Sequence, residues 1–474
     1  MNVKLEKVLR KIFKALIINI FKNIGPLSKI NPKKLQFYEF ENGLYFNEVY
    51  LSGGVLLKEL VLDKIYKNEV NESTSYELFQ YIAKTIYDKI KSRIGVIEDT
   101  LNTYLEDEEI DCAFSEMFKK LDDSYGEYTL YLLTNLISLR DIETVDIGKA
   151  KVKNLNETVV KKLPENIEQS FKSVFYEAWV EMAHINKYLS PTQFLEEFKG
   201  RVILEISVEG YHLNNEMSKV FEKFLREYKH VFSYLSVCKD FLGNVNLNSY
   251  IIETEDMGTY EDGVYSFNKV PQIFYIYNEN QPKLLKRINT EFQKVKLPKI
   301  LIKIDKDSLE NIKKRCCLDN FNEILQNQTK YDEISEKITR SMDWFYKGII
   351  EEDRTNEAIA LFISLEILMS TKPDRYSSLS DELAENLAII TQSGVEDRYQ
   401  AKKDFKKNIY QLRNNIMHRG TKISTPADFR NLKTLRNCIV WSLRWIIKNI
   451  EILKDDGKYT TEKLKEYFEK QKLK

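Results

Sequence analysis

The stretch Tyr410-Gln-Leu-Arg-Asn-Asn-Ile-Met-His-Arg-Gly420 decides how the C-terminal part of this chain folds. Its apolar residues, followed back to Phe405, recur at steps of three and four and predict one face of an α-helix over 396–418. Gly420 stands where this helix should end, because glycine readily adopts the left-handed conformation of a helix C-terminus.

The polar residues of this helix fall on its other side. At 100° per residue and with Phe405 as zero, Arg413 lies at about 80°, Asn414 at about 180° and His418 at about 220°. Asn414 and His418 therefore lie opposite the core face, and Arg413 lies on its flank. In a two-fold symmetric dimer, the polar strips of the two chains could meet and form one polar surface.

Two residues of the strip have chemistry that suits phosphate esters. A histidine exchanges a proton near neutral pH, and His418 is one of only four histidines in the 474-residue chain. An arginine such as Arg413 holds a phosphate with two parallel hydrogen bonds. RNA supplies its own nucleophile, the 2′-hydroxyl, so these two groups could suffice to cleave it. The alternative interpretation is a solvated helix face with no chemical role.

The charge of the chain is distributed unevenly. Residues 401–474 contain 19 Lys and Arg against 8 Asp and Glu, a net charge of +11, while the whole chain is neutral. Residues 1–400 therefore carry −11. The basic end also contains the Arg–His stretch, and a basic surface beside a proton-transfer group favours a polyanionic substrate.

Length and composition predict a mainly helical chain of about three domains. Gly 16 and Pro 9 are low counts, which favour long helices over tight turns. We predict a helical N-terminal region over 1–120, a central mixed α/β domain over 121–330 with a sensing or regulatory role, and a helical bundle over 331–474. The central region contains no glycine-rich phosphate-binding loop.

Hydrophobic periodicity places the elements within these regions. Strands are predicted at 128–134, 144–148, 150–152, 201–208, 250–253, 272–277 and 300–304. Helices are predicted at 76–104, 216–228, 230–241, 333–349, 356–370, 380–393, 396–418 and 426–454, and 105–111 is predicted to be a loop or a helix end. Ser380 and Thr425 are the predicted N-caps of two C-terminal helices.

The N-terminal segment 1–23 alternates basic and apolar residues as an amphipathic helix does. We expect it to pack on the protein's own core or on a partner, with binding to a membrane surface as the alternative. No apolar run is long enough to span a bilayer. The five cysteines include no Cys-x-x-Cys pair, which indicates a reducing compartment, and we expect a cytoplasmic protein.

The remaining candidates are a carboxylate and three histidines. Glu366 lies among apolar residues of a predicted helix, so we expect it to be partly buried and to need a cationic partner such as Arg413. A structural salt bridge and an orienting role for Glu366 stay equally open. His184 is interpreted as a core-edge residue, His212 as part of a turn and His230 as the start of a helix. No histidine pair has metal-ligand spacing, and neither a metal nor a cofactor is predicted.

Three segments occur in an order that resembles a known family. They are Arg340-Ser-Met-Asp-Trp-Phe-Tyr346, then Glu357-Ala-Ile-Ala-Leu-Phe-Ile-Ser-Leu-Glu-Ile-Leu368, then Tyr410, Arg413, His418 and Gly420 in a Tyr-x-x-Arg-x-x-x-x-His-x-Gly pattern. This order resembles the Apea-like branch of the HEPN superfamily over residues 331–455.

The resemblance implies an antiparallel bundle of four or five helices that forms a homodimer, with two Arg–His strips facing one cleft. Family members studied as nucleases are metal-independent ribonucleases. Many are toxins or abortive-infection effectors against phage, and some act on tRNA or ribosomal RNA. Others have lost activity and bind RNA or proteins. For an effector of this kind we expect activation by a phage-derived or cellular trigger.

The residue types then suggest separate roles in RNA cleavage. His418 would move the proton of the 2′-hydroxyl or of the leaving 5′-oxygen, and Arg413 would neutralise charge on the phosphoryl oxygens. Asn414 would orient the phosphate or His418. Arg419 and Lys422 are candidates for further phosphate contacts, although Arg419 is more simply interpreted as a cap of the last helical carbonyls. The alternatives are a non-catalytic module that binds RNA or a protein, and an unrelated helical scaffold.

Overall fold

A computed structural model describes residues 3–23, 53–66, 69–90, 106–154, 201–213, 219–242, 249–251, 273–278, 284–287, 300–371, 378–455 and 458–472. The chain is mainly helical with a small, mainly antiparallel sheet, as the composition predicts. It divides into two compact units. One contains Met1–Thr129, Ser207–Phe224 and Ile276–Lys286, and the other contains Leu130–Ile206, Leu225–Tyr275 and Arg287–Lys474.

The first unit is built largely from helices. They are α1 (Val3–Asn23), α2 (53–66, with a π-helical turn at Lys58–Leu62), α3 (Glu72–Ile90) and α4 (Asp107–Asp123). The apolar face of α1 is buried in this unit's core, where Phe13 meets Phe114 edge to face at 5.2 Å. The N-terminal segment thus packs on the protein's own core, one of the two alternatives for it.

Helix α4 corrects one prediction. Residues 105–111 were expected to form a loop or a helix end because they are acidic, yet Asp107 begins α4. Glu106 is the N-cap and forms a capping box with Glu109. Acidic side chains in a first turn stabilise the positive end of the helix dipole, so this acidic run starts a helix. The predicted helix over 76–104 is described only as far as Ile90.

Each of the seven predicted strands overlaps an observed strand, and one observed strand, Leu284–Arg287, was not predicted. The structure describes eight strands in the main sheet. They are β1 (Tyr125–Leu139), β2 (Thr144–Ile147), β3 (Ala150–Asn154), β4 (Arg201–Tyr211), β5 (Ser249–Ile251), β6 (Ile273–Asn278), β7 (Leu284–Arg287) and β8 (Ile300–Ile304). Their order is β2-β3-β4-β1-β6-β7, and β8 pairs with β1 and β5. Val152 faces Val145 in the β2–β3 pair and Leu204 in the β3–β4 pair, both antiparallel, whereas β1 and β8 are parallel.

Helix α5 (Lys219–Leu242) replaces the two helices predicted at 216–228 and 230–241. Lys229, at the expected break, is no helix breaker, and the chain continues without a turn. His230 was predicted to open a helix, which is wrong, because it lies in the middle of α5 and is buried. His212 follows β4, as predicted, and is also buried.

The five helices predicted between 333 and 454 are present, although the last one ends at Lys448 and not at 454. The helices over 306–316, 318–326 and 461–472 were not predicted. In chain order, the C-terminal helices are α6 (Lys306–Cys316), α7 (Leu318–Gln326), α8 (Gln328–Ile349), α9 (Arg354–Met369), α10 (Leu379–Thr391), α11 (Val395–Asp404), a π-helical turn (Phe405–Tyr410), α12 (Gln411–Arg419), α13 (Pro426–Lys448) and α14 (Thr461–Lys472). A 3-10 turn (Ile450–Leu453) and a hairpin of β9 (Lys454–Asp455) and β10 (Lys458–Tyr459) join the last two helices.

Two contacts bring α8 and α9 together at the centre of this region. The hydroxyls of Ser341 and Ser364 lie 2.9 Å apart and are buried, which satisfies two polar groups inside an apolar interface. At Gly348 the two helices approach so closely that a Cβ there would lie 2.9 Å from a Leu361 methyl group. A larger residue at 348 would therefore push α9 away.

The helix caps were partly predicted. Thr425 and Asp428 form a reciprocal capping box at the start of α13, as predicted. Ser380 was predicted to cap α10, which is wrong. Ser378 is the N-cap, because its hydroxyl accepts a hydrogen bond from the backbone N–H of Asp381 at 3.2 Å.

Candidate functional site

The candidate site lies on the continuous helix formed by α11, the π-helical turn and α12. Its apolar face is buried as predicted, with Phe405, Ile409, Leu412 and Ile416 between 2% and 6% exposed. The predicted uniform 100° per residue is wrong between Phe405 and Tyr410, because this turn is π-helical. A π-turn inserts an extra residue into a helix and often occurs at functional sites.

Arg413 is fixed by a carboxylate from a different helix. Its Nε donates a hydrogen bond to Glu366 Oε1 on α9 at 2.9 Å, and the two side chains are 21% and 22% exposed. The Arg413 guanidinium carbon also lies 5.3 Å from the centre of the Tyr410 ring. Glu366 is thus half-buried and paired with Arg413, as its apolar surroundings suggested.

The ion pair leaves part of the guanidinium available. Only Nε of Arg413 contacts Glu366. Among the residues that the structure describes, its two terminal amino groups donate to no protein atom. These are the groups with which arginine holds a phosphate in a bidentate manner. Glu366 and Tyr410 therefore orient Arg413 while its two terminal amino groups stay available.

Tyr410 belongs to the pattern quoted from the sequence, but the sequence interpretation gave it no role in the site. Burial raises the pKa of Tyr410, Arg413 lowers it and Glu366 raises it further, so its hydroxyl stays protonated at neutral pH. Its ring lies three positions before Arg413 on the same helix. The i, i+3 spacing of an aromatic residue and an arginine was the available signal.

His418 lies in the last turn of α12. Of the three histidines that the structure describes, His212, His230 and His418, only His418 is exposed, and His184 lies outside the described residues. No described residue donates to or accepts from the His418 imidazole. The imidazole is therefore open to solvent.

The backbone around His418 is held firmly. Gly420 is left-handed, with φ of 64°, and its N–H donates to Ile416 O at 3.1 Å, while Thr421 N donates to Asn415 O at 3.1 Å. Two residues later, Ile423 N donates to Thr355 Oγ1 at 3.1 Å and so ties the loop to α9. The end of α12 is therefore anchored although its last side chains are exposed.

Three further predicted site residues surround this helix end. Asn414 is half-buried, and Arg419 and Lys422 are exposed. Arg419 was interpreted as a cap of the last helical carbonyls, which is wrong for Asn415 and Ile416. The Ile416 carbonyl accepts a hydrogen bond from the N–H of Gly420, and the Asn415 carbonyl accepts one from the N–H of Thr421.

Arg413 and His418 do not share one side of α12. They are five residues apart, which corresponds to about 140° around an α-helix. Arg413 is turned toward α9, whereas His418 is exposed to solvent. Within one chain, the two side chains therefore lie on different sides of α12.

Glu366 also lines a cavity of about 930 Å³ between α8, α9 and α14. Lys337 lies on its wall and donates to the carbonyls of Ile367 at 2.9 Å and Ser370 at 2.6 Å, so it caps the C-terminus of α9. Burial lowers the pKa of Lys337, and Glu382 raises it. The residue that orients Arg413 therefore borders this cavity.

No protein-family model matches the sequence, and no match is found among curated proteins or solved structures. In the described part of the chain, no helix is sufficiently long and apolar to cross a membrane.

Proposed function

We propose that the C-terminal helices form a HEPN-type bundle that dimerises and cleaves RNA without a metal ion. The observation that carries the proposal is the orientation of Arg413. Its Nε is held by Glu366 at 2.9 Å, and its two terminal amino groups have no partner among the described residues. An arginine held in this way is prepared to bind a phosphate, because little side-chain entropy is left to lose.

The chemistry follows from the side chains. His418 removes the proton from a 2′-hydroxyl, and the 2′-oxygen forms a bond to the adjacent phosphorus. The bond from phosphorus to the 5′-oxygen breaks, and the leaving oxygen takes up the proton that the His418 imidazole accepted, directly or through water. The products are a 2′,3′-cyclic phosphate and a 5′-hydroxyl. Arg413 stabilises the negative charge that develops on the non-bridging oxygens.

The remaining candidates support this step. Asn414, next to Arg413 and half-buried, would orient the phosphate, and the exposed Arg419 and Lys422 would bind neighbouring phosphates. Glu366 orients Arg413 and is a positioning residue. The net charge of +11 on residues 401–474 attracts a polyanion to this end of the chain.

A dimer explains how Arg413 and His418 could act together although they lie about 140° apart on one helix. With two copies of α12 across a two-fold axis, the Arg413 of one copy would face the His418 of the other. The half-buried Asn414 and the 53% exposed Met417 would lie in the interface. Replacing both by glutamate should convert a dimer to a monomer, as measured by light scattering.

The direct test is cleavage of total RNA by the full chain in the presence of EDTA, with sequencing of 2′,3′-cyclic phosphate ends. We expect new ends with the wild type and a rate at least about 100-fold lower with His418→Ala. Arg413→Ala should lower the rate as well, and its matched control is Arg436→Ala, because Arg436 pairs with Asp240 at a similar exposure, 23% and 19%. Equal cleavage by the wild type and His418→Ala would exclude this mechanism.

A defence or toxin role is part of the proposal, because an RNA-cleaving enzyme of this kind harms its own cell unless it is held inactive until triggered. This role is tested by expressing the wild type and His418→Ala in bacteria, with and without phage infection, and sequencing the 2′,3′-cyclic phosphate ends of total RNA. New RNA ends that appear only on infection and only with intact His418 would support a triggered effector.

The second candidate is a non-catalytic module that binds RNA or a protein. The observation in its favour is that no described residue orients the His418 imidazole, whereas catalytic histidines are usually held by a second group. RNA binding that is equal in the wild type and His418→Ala, with no cleavage by either, would favour this module.

A further inference from the structure

The helix that carries the candidate site also has an exposed ridge on its solvent side. The ridge consists of Tyr399, Lys403, Lys407, Gln411 and His418, and all five side chains are exposed. The first four are spaced by four residues, and His418 follows seven residues after Gln411. From Tyr399 to His418 the ridge extends on the order of 28 Å at the rise of an α-helix.

The π-helical turn keeps these residues in line. In an α-helix a step of four residues goes about 40° beyond a full turn, so a ridge of such steps would spiral around the axis. A π-turn contains more than four residues, since its hydrogen bonds run from i to i+5, and a step of four within it falls short of a full turn. The turn at Phe405–Tyr410 therefore offsets the drift of the α-helical steps.

The positions of the buried residues show that the ridge lies on the side of the helix opposite the core. Lys403 and Lys407 each lie two residues from the buried Phe405, and Lys407 also lies two residues from the buried Ile409. Two residues correspond to about half a turn, so both lysines point away from the core. Gln411 and His418 are seven residues apart in α12, which brings them to within about 20° of each other.

The ridge is cationic because its lysines are not neutralised by the protein. The neighbouring lysines of the same helix pair with carboxylates of α10: Lys402 lies 3.6 Å from Glu385, and Lys406 lies 2.7 Å from Asp381. By contrast, no described carboxylate lies within ion-pair distance of Lys403 or Lys407.

Tyr399 adds an aromatic surface at the far end of the ridge. Its side chain is 70% exposed, and no described residue covers the ring. An aromatic ring in solvent beside a row of free cations is the combination that binds single-stranded nucleic acid. The ring stacks on a base, and the cations follow the phosphates. A duplex offers no free base face for such stacking.

We propose that this ridge binds single-stranded RNA and leads the strand to His418, with a base stacked on Tyr399 and phosphates on Lys403 and Lys407. The inference rests on the proposed ribonuclease function, since it names the form of RNA and the path that the strand takes to the site.

The test uses the full chain with His418→Ala, which removes cleavage and leaves the rest of the ridge intact. Binding of a fluorescent single-stranded RNA is measured by anisotropy across a range of salt concentrations. Adding Lys403→Gln and Lys407→Gln should weaken binding and reduce the slope of log K against log salt by about 1.4, because each phosphate contact on a single strand contributes about 0.7.

The matched control is Lys7→Gln with Lys11→Gln. These two exposed lysines of α1 have the same i, i+4 spacing and give the same change in charge. Tyr399→Ala should weaken binding at least about fivefold and Tyr399→Phe should not, because stacking needs the ring and not the hydroxyl. The same RNA annealed into a duplex should show little dependence on Tyr399.

The outcomes separate this inference from the function on which it rests. If the ridge variants keep the affinity and salt slope of the parent chain and cleavage still depends on His418, the RNA-binding role of the ridge is excluded and the ribonuclease function is supported. If binding depends on the ridge residues and the wild type cuts no RNA, the RNA-binding role of the ridge is supported and the ribonuclease function is excluded.

Discussion

Arg413 on α12 and Glu366 on α9 form a half-buried ion pair 2.9 Å long between residues that lie 47 positions apart in the chain. The pair is the structural core of the candidate site. It joins α12, whose last turn contains His418, to α9, which packs against α8. The guanidinium is thus oriented by the fold and not by its own helix alone.

A double-mutant cycle with Arg413→Ala and Glu366→Ala should give an interaction energy of about 1 kcal/mol. This lies between the values for exposed pairs and for fully buried ones, because both side chains are about one-fifth exposed. Urea unfolding of the wild type, the two single variants and the double variant measures it. The same cycle on Arg436 and Asp240 should give a similar energy without an effect on RNA cleavage. Strictly additive single effects at Arg413 and Glu366 would show that the pair contributes nothing to stability.

Gly420→Ala should destabilise the protein by about 1 kcal/mol, and Gly420→Asn by less. Space is not the cause, since nothing lies within 4 Å of a Cβ placed there. The φ of 64° is the cause, because it disfavours residues with a side chain and asparagine tolerates it best. Chemical denaturation of the three proteins tests this order. Equal stability of the alanine and glycine forms would mean that the loop after α12 can adopt another conformation.

The buried His230 should stabilise the protein more at low pH than at high pH. Burial opposes its charge, but Asp343 at 3.4 Å and Glu227 at 3.5 Å outweigh that effect and raise its pKa. Because its pKa is higher in the folded than in the unfolded protein, protonated His230 stabilises the fold. This stabilisation is complete below the unfolded pKa of about 6.5 and is lost as pH rises through the folded pKa. The difference in unfolding free energy between the wild type and His230→Gln should shrink between pH 6 and pH 9. A difference independent of pH would show that folding does not change the pKa of His230, and a difference that grows with pH would show that folding lowers it.

His212 should show the opposite dependence. Burial lowers the pKa of His212 to about 4, so the folded state resists its protonation while the unfolded chain accepts a proton below about pH 6.5. Stability should fall by roughly 3 kcal/mol as pH decreases from 6.5 to 4, at 1.36 kcal/mol per pKa unit. Denaturation of the wild type and His212→Asn at pH 7 and pH 4.5 measures this change. An identical acid sensitivity of both proteins would assign it to other groups.

Much of the C-terminal architecture could be predicted because neighbouring residues encode it. Apolar residues at steps of three and four predicted the buried faces, and the left-handed Gly420 and the Thr425–Asp428 box predicted two helix ends within a residue. These signals are local, since a cap or an amphipathic face depends on residues within one or two turns. Where two local signals competed, the prediction failed, as for Ser378 and Ser380 in front of α10.

The sequence by itself thus determined most of the C-terminal helices, some of their ends, and the presence of an Arg–Asn–His strip in a basic region. Only the tertiary structure decided that Glu366 reaches Arg413, that His418 is exposed while His230 is buried between two carboxylates, and that a π-helical turn precedes α12. The physical reason is distance along the chain. Ion pairs, burial and a π-turn depend on packing against residues that are far away in sequence, and a periodic pattern carries no information about which distant helix supplies them.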